Sequence, residues 1–242
     1  MALTKNRILK NLQQIRQNIA GACRAARRSE KDVSIVAVTK SGQLDAVKAL
    51  LEAGVTDVAE SRAQILAERA EAINAWIARR RSDQPLTPRW HMVGTLQRNK
   101  VRKVLPFVQV VHSVDSLRLA EEINARAEKD EKTVDILLQV NCTEEPQKSG
   151  CAVGAALHMA ELAITLKSVR LVGLMTIGPT EGGPEGARAA FVRLRELFEE
   201  IRSQKIGGPA FKHLSMGMSD DYPLAVAEGA TMLRIGRALF AQ

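Results

Sequence analysis

Three short segments of the sequence carry side chains that could together bind a phosphorylated aldehyde. Lys40 ends an apolar run, Ser215 begins a Ser-Met-Gly-Met-Ser turn, and Arg234 begins a segment that also contains Gly236 and Arg237. A lysine amine forms a Schiff base with an aldehyde, while a serine hydroxyl and the N–H groups of glycine turns bind phosphate. The residue types predict this chemistry if the fold brings the three segments together.

Each residue also has a purely structural interpretation. A lysine at the end of a strand is commonly a solvated charge, and Ser215 and Ser219 could cap the helix that follows them. Gly236 could serve close packing, and Arg234 could pair with a nearby carboxylate. A functional interpretation therefore depends on whether the three segments converge in space.

The elements that would position these residues alternate regularly between strand and helix. Short apolar runs rich in β-branched residues are each followed by a helical pattern, and the last strand is followed by a predicted C-terminal helix. The predicted strands cover residues 33–40, 57–60, 90–94, 108–114, 133–141, 170–177, 211–216 and 231–235. Eight such units predict a single (β/α)8 TIM-type barrel, with an open doubly wound sheet as the alternative.

In a barrel of this type the working face lies where the strands end and the loops to the helices begin. Lys40 ends strand one, Ser215 ends strand seven, and Arg234 lies near the end of strand eight. Phosphate groups are often held by the loops after strands seven and eight. The barrel prediction therefore brings the three segments to one mouth.

The net charge of +8 is concentrated in the first residues of the chain. Seven lysines and arginines precede Glu30 with no acidic residue among them, which leaves only +1 for the remainder. Apolar residues recur there at helical spacing: Ile8, Leu12, Ile15, Ile19 and Cys23. We interpret this segment as an extra N-terminal helix with a solvated basic face. Binding of RNA or anionic membranes is the alternative, but aromatic residues make up only 3% of the chain.

The length and the remaining motifs narrow the class of protein. A chain of 242 residues suits one barrel of about 250 residues, so we expect a single domain over residues 1–242. Cys23, Cys142 and Cys151 fit no disulfide or metal pattern, which predicts buried thiols in a reducing, cytoplasmic compartment. No P-loop and no strand-anchored G-x-G-x-x-G is present, so a nucleotide is not the expected ligand.

These residues lie within longer segments that resemble a known family, the YggS/PROSC family of pyridoxal 5′-phosphate (PLP) homeostasis proteins. The resemblance runs nearly from end to end, and the barrel of this family is similar to the N-terminal domain of alanine racemase. The matching segments are Ile35-Val-Ala-Val-Thr-Lys40, Trp90-His-Met-Val-Gly-Thr-Leu-Gln-Arg-Asn-Lys100, Val111-His-Ser-Val-Asp115, Gln147-Lys-Ser-Gly150, Gly173-Leu-Met-Thr-Ile177, Leu214-Ser-Met-Gly-Met-Ser-Asp-Asp221 and Met232-Leu-Arg-Ile-Gly236.

The resemblance implies a role for each candidate residue. Lys40 would hold PLP as a Schiff base, Ser215 and the backbone at Gly236 and Arg237 would bind the phosphate, and Arg234 would face the pyridine nitrogen. A guanidinium is always protonated and cannot accept a proton, so the ring would be a weak electron sink. Transaminase-type chemistry is therefore disfavoured.

Two departures from the family pattern affect the predicted site. Where the family commonly has Gly-Glu-Asn-Tyr, this chain has Ala59-Glu-Ser-Arg62, so the short Ser61 hydroxyl replaces an amide near the ring. Where the family often has threonine after Arg-Ile-Gly, this chain has Arg237, which adds a positive charge near the phosphate. Backbone contacts to the phosphate would survive the second change.

The sequence favours a carrier over an enzyme. A two-base racemase needs a second acid or base opposite the lysine, and in alanine racemases this tyrosine comes from an extra β domain. The only tyrosine here, Tyr222, is expected to pack or cap. His91, His112 and His213 could act as bases, but a strand histidine with a backbone partner is the commoner case and is the expectation for each. We therefore assign no catalytic residue and no metal site.

The leading hypothesis is a PLP-binding protein of intracellular PLP homeostasis that transfers the cofactor to apo PLP-dependent enzymes. A PLP-dependent racemase or lyase acting on amino acids is the alternative, and no nucleic acid or membrane partner is expected. Lys148 is a rival amine that could capture or hand over PLP. Because barrels similar to this one lack the racemase β domain and its dimer contacts, we expect a monomer.

Overall fold

Eight parallel strands form the centre of the molecule in the computed structural model, which describes residues 4–81 and 85–241. The strands are β1 (Ser34–Val38), β2 (Asp57–Glu60), β3 (Arg89–Met92), β4 (Val108–Val114), β5 (Val134–Gln139), β6 (Val169–Met175), β7 (His213–Ser215) and β8 (Met232–Ile235). The helices are α1 (Lys5–Ala25), α2 (Leu44–Glu52), α3 (Ala63–Ala78), α4 (Arg98–Val104), α5 (Leu117–Lys129), α6 (Val153–Ala163), α7 (Gly183–Ser203) and α8 (Tyr222–Ala227).

The sheet closes into a barrel because the last strand pairs with the first. Residues 34–37 of β1 lie in parallel register with residues 232–235 of β8. This closure confirms the predicted (β/α)8 barrel, and the open doubly wound sheet is wrong. The seam between β7 and β8 is narrow, with Ser215 and Met232 as its one pair of strand residues.

Helix α1 has the structure that its apolar spacing predicts. Thr4 caps its N-terminus by accepting a hydrogen bond from the Arg7 N–H, and the stripe that ends at Cys23 is buried. Several basic side chains of this segment have partners within the chain. Lys5 pairs with Glu52 at 2.7 Å, and Arg28 donates to the carbonyls of two residues near the end of α8.

The eighth position in the ring of helices is filled from the other end of the chain. Helix α1 packs between α2 and α8, where a helix after β8 would lie. The predicted C-terminal helix is wrong: residues 236–240 form turns, with a hydrogen bond of 3.0 Å from the Leu239 N–H to the Gly236 carbonyl. The Asn11 amide of α1 donates to the carbonyls of Leu239 and Ala241 at 3.1 and 2.9 Å. These contacts tie the segment after β8 to α1.

Apolar side chains pack on both faces of the strands. A large cluster fills the space between the strands and the helices, and two small clusters lie inside the barrel around Val36 and Val110. Polar side chains separate the small clusters, as described below. The three cysteines are buried free thiols, and burial raises the pKa of Cys142 and Cys151 to about 11.

Within the two described ranges, no helix is long and apolar enough to cross a membrane.

Candidate functional site

Lys40 lies at the carboxyl end of β1, in the short 3-10 turn Thr39–Ser41, and its side chain is exposed. The residue before it is held firmly. The Thr39 hydroxyl donates to the buried carboxylate of Glu60, and Arg69 donates to the Thr39 carbonyl at 2.7 Å. Burial raises the pKa of Glu60 although Thr39 and Arg69 favour its charged form. The turn that carries Lys40 is thus fixed while the amine remains accessible.

Ser215 and Arg234 form a buried pair at the carboxyl ends of β7 and β8. The Arg234 guanidinium donates to the Ser215 hydroxyl oxygen at 2.7 Å and to the Thr176 carbonyl at 2.8 Å. Ser215 is fully buried and Arg234 is 5% exposed. Burial lowers the pKa of Arg234 to about 10, against the favourable charge of Asp221, so the guanidinium is protonated at pH 7. The alternative that Arg234 pairs directly with a carboxylate is not what the structure shows.

The turn after Ser215 does not use its serines as helix caps. Ser215 faces Arg234 as described, and the Ser219 hydroxyl accepts from the backbone N–H of Ala238, just after β8. Helix α8 begins at Tyr222 without a side-chain cap. The Tyr222 hydroxyl accepts from Asn18 of α1 at 2.7 Å, so this tyrosine packs, as predicted, against the outer ring of helices.

Gly236 brings the ends of β8 and β1 into contact. A Cβ atom at Gly236 would lie 3.3 Å from the Val38 carbonyl oxygen and 3.5 Å from the Val38 Cβ, two residues before Lys40. The next side chain, that of Arg237, is exposed and forms an ion pair with Asp220. The extra positive charge expected from Arg237 therefore already has an acidic partner.

Ser61 follows the end of β2, the neighbour of β1 in the barrel. A Cβ at Gly94, just beyond β3, would lie 2.2 Å from the Ser61 carbonyl oxygen, so the two loops touch through their backbones. Only glycine fits at position 94. Ser61 is thus placed at the same barrel mouth as Lys40, Ser215 and Gly236.

A cavity of about 320 Å³ opens beside this mouth, at the carboxyl ends of β3 and β5. Lys148 lines it, and its amine donates to the Gly178 carbonyl at 2.6 Å and pairs with Glu145. This rival amine is therefore engaged by neighbours. A larger cavity, of about 750 Å³, lies around His213 at the opposite end of the barrel and is remote from Lys40.

A line of hydrogen bonds crosses the interior of the barrel below the Ser215–Arg234 pair. His112 Nδ1 lies 2.8 Å from the Ser215 hydroxyl, and His112 Nε2 lies 2.8 Å from His91 Nδ1. His91 Nε2 lies 2.9 Å from the Asp57 carboxylate, near the amino end of β2. The prediction of backbone partners for His91 and His112 is wrong, because each imidazole uses both nitrogens on side chains.

Burial controls the protonation of this line. Burial lowers the pKa of His91 in spite of the Asp57 carboxylate, and burial together with nearby positive charge lowers the pKa of His112 well below its usual range. Burial alone would raise the pKa of Asp57, but the hydrogen bond from His91 and the charge of Arg89 lower it. At pH 7 both imidazoles are neutral and Asp57 is ionised.

The amino end of the barrel is closed by ion pairs. Asp135 accepts from Arg89 at 2.8 Å and from Arg170 at 2.7 Å. Burial, followed by the charges of Lys212 and Arg89, lowers the pKa of His213 to about 4. These groups surround that end of the line, where the side chain of Asp57 is partly exposed.

Comparison with known proteins identifies the family. Residues 10–242 match the model of the alanine racemase N-terminal domain. The chain is 34% identical over 231 residues to a pyridoxal phosphate homeostasis protein of Aquifex aeolicus, covering 96% of both chains. It is 36% identical over 234 residues to the protein of that name from Pseudomonas aeruginosa, covering 96% of this chain and 94% of the relative.

A solved structure of similar sequence has the same architecture. PipY of Synechococcus elongatus PCC7942, solved with PLP bound, is 33% identical and superimposes with a TM-score of 0.75, covering 92% of this chain and 100% of that one. The chain therefore belongs to the alanine racemase N-terminal domain family, in the group that contains the pyridoxal phosphate homeostasis proteins.

Proposed function

We propose that this protein binds PLP as a Schiff base on Lys40 and serves intracellular PLP homeostasis. One observation carries the proposal. The exposed Lys40 amine and the buried Ser215–Arg234 pair belong to strands whose carboxyl ends meet at a single mouth, where Gly236 touches the end of β1. The PLP-bound PipY structure supports the choice of cofactor.

The residues at the mouth suit the chemical parts of PLP. Lys40 would supply the amine for the aldehyde, while the Ser215 hydroxyl and the backbone at Gly236 and Arg237 would hold the phosphate. Ser61 would lie near the ring. PLP supplies a ring that can accept electrons from a bound amino acid, and its strength depends on protonation of the ring nitrogen.

Arg234 would limit that chemistry. Its guanidinium is buried, protonated and already oriented by Ser215 and the Thr176 carbonyl. A group that only donates hydrogen bonds and keeps its own protons leaves a neighbouring pyridine nitrogen as an unprotonated acceptor. Tyr222, whose hydroxyl accepts from Asn18, does not face the mouth as a second acid or base. These features favour a carrier over a racemase or lyase.

Transfer of PLP to apo PLP-dependent enzymes, a monomeric state and a cytoplasmic location are parts of the same proposal. A carrier must hold a reactive aldehyde reversibly, which an exposed lysine next to a rigid phosphate site permits. The buried free thiols of Cys23, Cys142 and Cys151 are consistent with a reducing compartment.

The test is to mix the purified protein with PLP, reduce it with borohydride, and map the modified lysine by mass spectrometry. We expect the label on Lys40, and we expect Lys40→Ala to lose the visible absorption of the bound cofactor. Lys148→Ala is the matched control and should keep both. Labelling of Lys148 in place of Lys40 would contradict the proposal.

The enzyme alternative has its own measurement. Exchange of the α-proton of amino acids in deuterated water, abolished by Lys40→Ala, would favour a racemase or lyase. We expect no appreciable exchange.

A further inference from the structure

The line of hydrogen bonds inside the barrel has a direction that its two ends determine. The Asp57 carboxylate can only accept, so His91 Nε2 donates to it. A neutral His91 then accepts at Nδ1 from His112 Nε2, and a neutral His112 accepts at Nδ1 from the Ser215 hydroxyl. Arg234 can only donate, and it donates to the same Ser215 oxygen. Every bond therefore points from Arg234 towards Asp57.

With the bonds in this direction, Ser215 has no proton left to donate to an anion. Its hydroxyl proton is committed to His112, and its oxygen already accepts from Arg234. An approaching phosphate oxygen would meet a lone pair of Ser215 instead of a proton. If Ser215 turned its proton outwards, His112 Nδ1 would become a buried acceptor without a donor, which is unfavourable.

One added proton removes the conflict without moving any heavy atom. The proton enters from solvent at the Ser215 oxygen, the former Ser215 proton passes to His112 Nδ1, and the His112 Nε2 proton passes to His91 Nδ1. His91 then holds two protons beside the Asp57 carboxylate, and Ser215 has a proton for the phosphate. All four hydrogen bonds of the line are kept; those between Ser215 and His112 and between His112 and His91 are reversed, while Arg234 and His91 Nε2 still donate as before.

We infer that Asp57, His91 and His112 form a positioning chain for the Ser215 hydroxyl, and that phosphate binding at Ser215 reverses this chain by taking up one proton. The inference rests on the proposed function, since it assumes that the PLP phosphate lies at Ser215. It adds that PLP binding is linked to a proton stored in the barrel interior.

The surrounding charges place the stored proton on His91. The charged and titratable side chains that face the two imidazoles come from five strands: Asp57 of β2, Arg89 of β3, Asp135 of β5, His213 of β7 and Arg234 of β8. Arg89 pairs with Asp135 at 2.8 Å and lies 3.9 Å from the Asp57 carboxylate. His91 touches a carboxylate, whereas His112 lies nearer to the Arg234 guanidinium. The proton is therefore better stabilised on His91.

The sign of the pH dependence follows. His91 is neutral in the empty protein and protonated in the phosphate complex, so its pKa is higher in the complex. Affinity for PLP should rise as the pH falls through the pKa of the complex. Between the pKa of His91 in the empty protein and its higher pKa in the complex, the affinity should rise by up to about tenfold for each pH unit of acidification, which is the limit for one linked proton.

Nitrogen-15 NMR of the imidazoles tests the chain in the protein with and without PLP. In the empty protein we expect one proton on Nε2 of each of His91 and His112. With PLP we expect His112 to carry its proton on Nδ1 and His91 to carry two. An unchanged His112 in a protein that has bound PLP would overturn the inference.

The variant Asp57→Asn tests the same chain from the far end of the barrel. Its amide can donate to His91 Nε2, which reverses the chain without an added proton. We expect Asp57→Asn to bind PLP about tenfold more tightly than wild type at pH 8, a difference that shrinks as the pH falls. Calorimetry in two buffers of different ionisation enthalpy should show one fewer proton taken up.

The matched control is Asp130→Asn, a carboxylate at the end of α5 that pairs with Arg126 at 2.8 Å and stands outside the chain. It should keep the wild-type proton uptake. Lys40 chemistry is common to all three proteins and cancels in the comparison. Equal proton uptake by wild type and Asp57→Asn would overturn the inference, whereas absence of the visible absorption of bound PLP in wild type would overturn the proposed function.

Discussion

Replacing Gly173 with alanine should force strands β6 and β7 apart. A Cβ at Gly173 would lie 1.9 Å from the His213 carbonyl oxygen and 2.7 Å from its carbonyl carbon. Ordinary contact requires more than 3 Å, so the strands must separate by more than 1 Å. Bonds such as that of 3.0 Å from the Lys212 N–H to the Val172 carbonyl would then exceed hydrogen-bonding distance.

The expected loss of stability can be worked from these contacts. Two lost backbone hydrogen bonds contribute about 2 kcal/mol, and overpacking contributes about 2 kcal/mol more. A loss of about 4 kcal/mol corresponds to a decrease in Tm of about 8 to 16 °C for a chain of this length. Because β7 carries Ser215, affinity for PLP should fall as well.

The assay is urea unfolding followed by circular dichroism. The control is Gly154→Ala on the exposed side of α6, where the added Cβ has no heavy atom within 4 Å. This control should be as stable as wild type or gain up to about 1 kcal/mol from helix propensity. A loss below about 1 kcal/mol in Gly173→Ala would mean that the β6–β7 register is wrong.

Three further substitutions test other parts of the structure. Asn11→Ala should remove about 2 kcal/mol and raise amide hydrogen exchange over residues 236–241, because α1 no longer holds their carbonyls; unchanged exchange would contradict this role. The pKa of His213 is about 4 when folded, so its contribution is complete above pH 6.5 and lost towards pH 4. His213→Gln should therefore flatten the fall of the unfolding free energy with acid by about 2 kcal/mol, allowing for partial exposure, as measured by urea unfolding at pH 7 and 4. Glu60→Gln should cost less than about 1 kcal/mol at pH 7, since the raised pKa shows that the site favours the neutral form, and a loss above about 3 kcal/mol in urea unfolding would refute this.

Local sequence patterns were sufficient for the parts of the fold that depend on neighbouring residues. The stripe from Ile8 to Cys23 is a helical spacing within one element, and the alternation of apolar runs with helices repeats along the whole chain. The mouth residues Lys40, Ser215 and Gly236 could be placed together because parallel strands end at one edge.

The errors concern contacts between distant segments. The C-terminal helix was predicted from local composition, but Asn11 binds Leu239 from 228 positions away. The chain of His91 and His112 depends on the register between strands, which decides that both side chains face inwards at matching heights. The available signal was a histidine at an inward position on each of two adjacent strands, followed by a serine on β7.

The position of α1 has a consequence for how the protein is made. The helix that completes the ring is synthesised before several of the surfaces that it covers, which include α8 and residues 239–241. Its buried stripe must remain without these partners while more than 200 residues are added. Helix α1 can pack on α2 early, but its contacts with α8 and with residues 239–241 can form only after those segments have been synthesised.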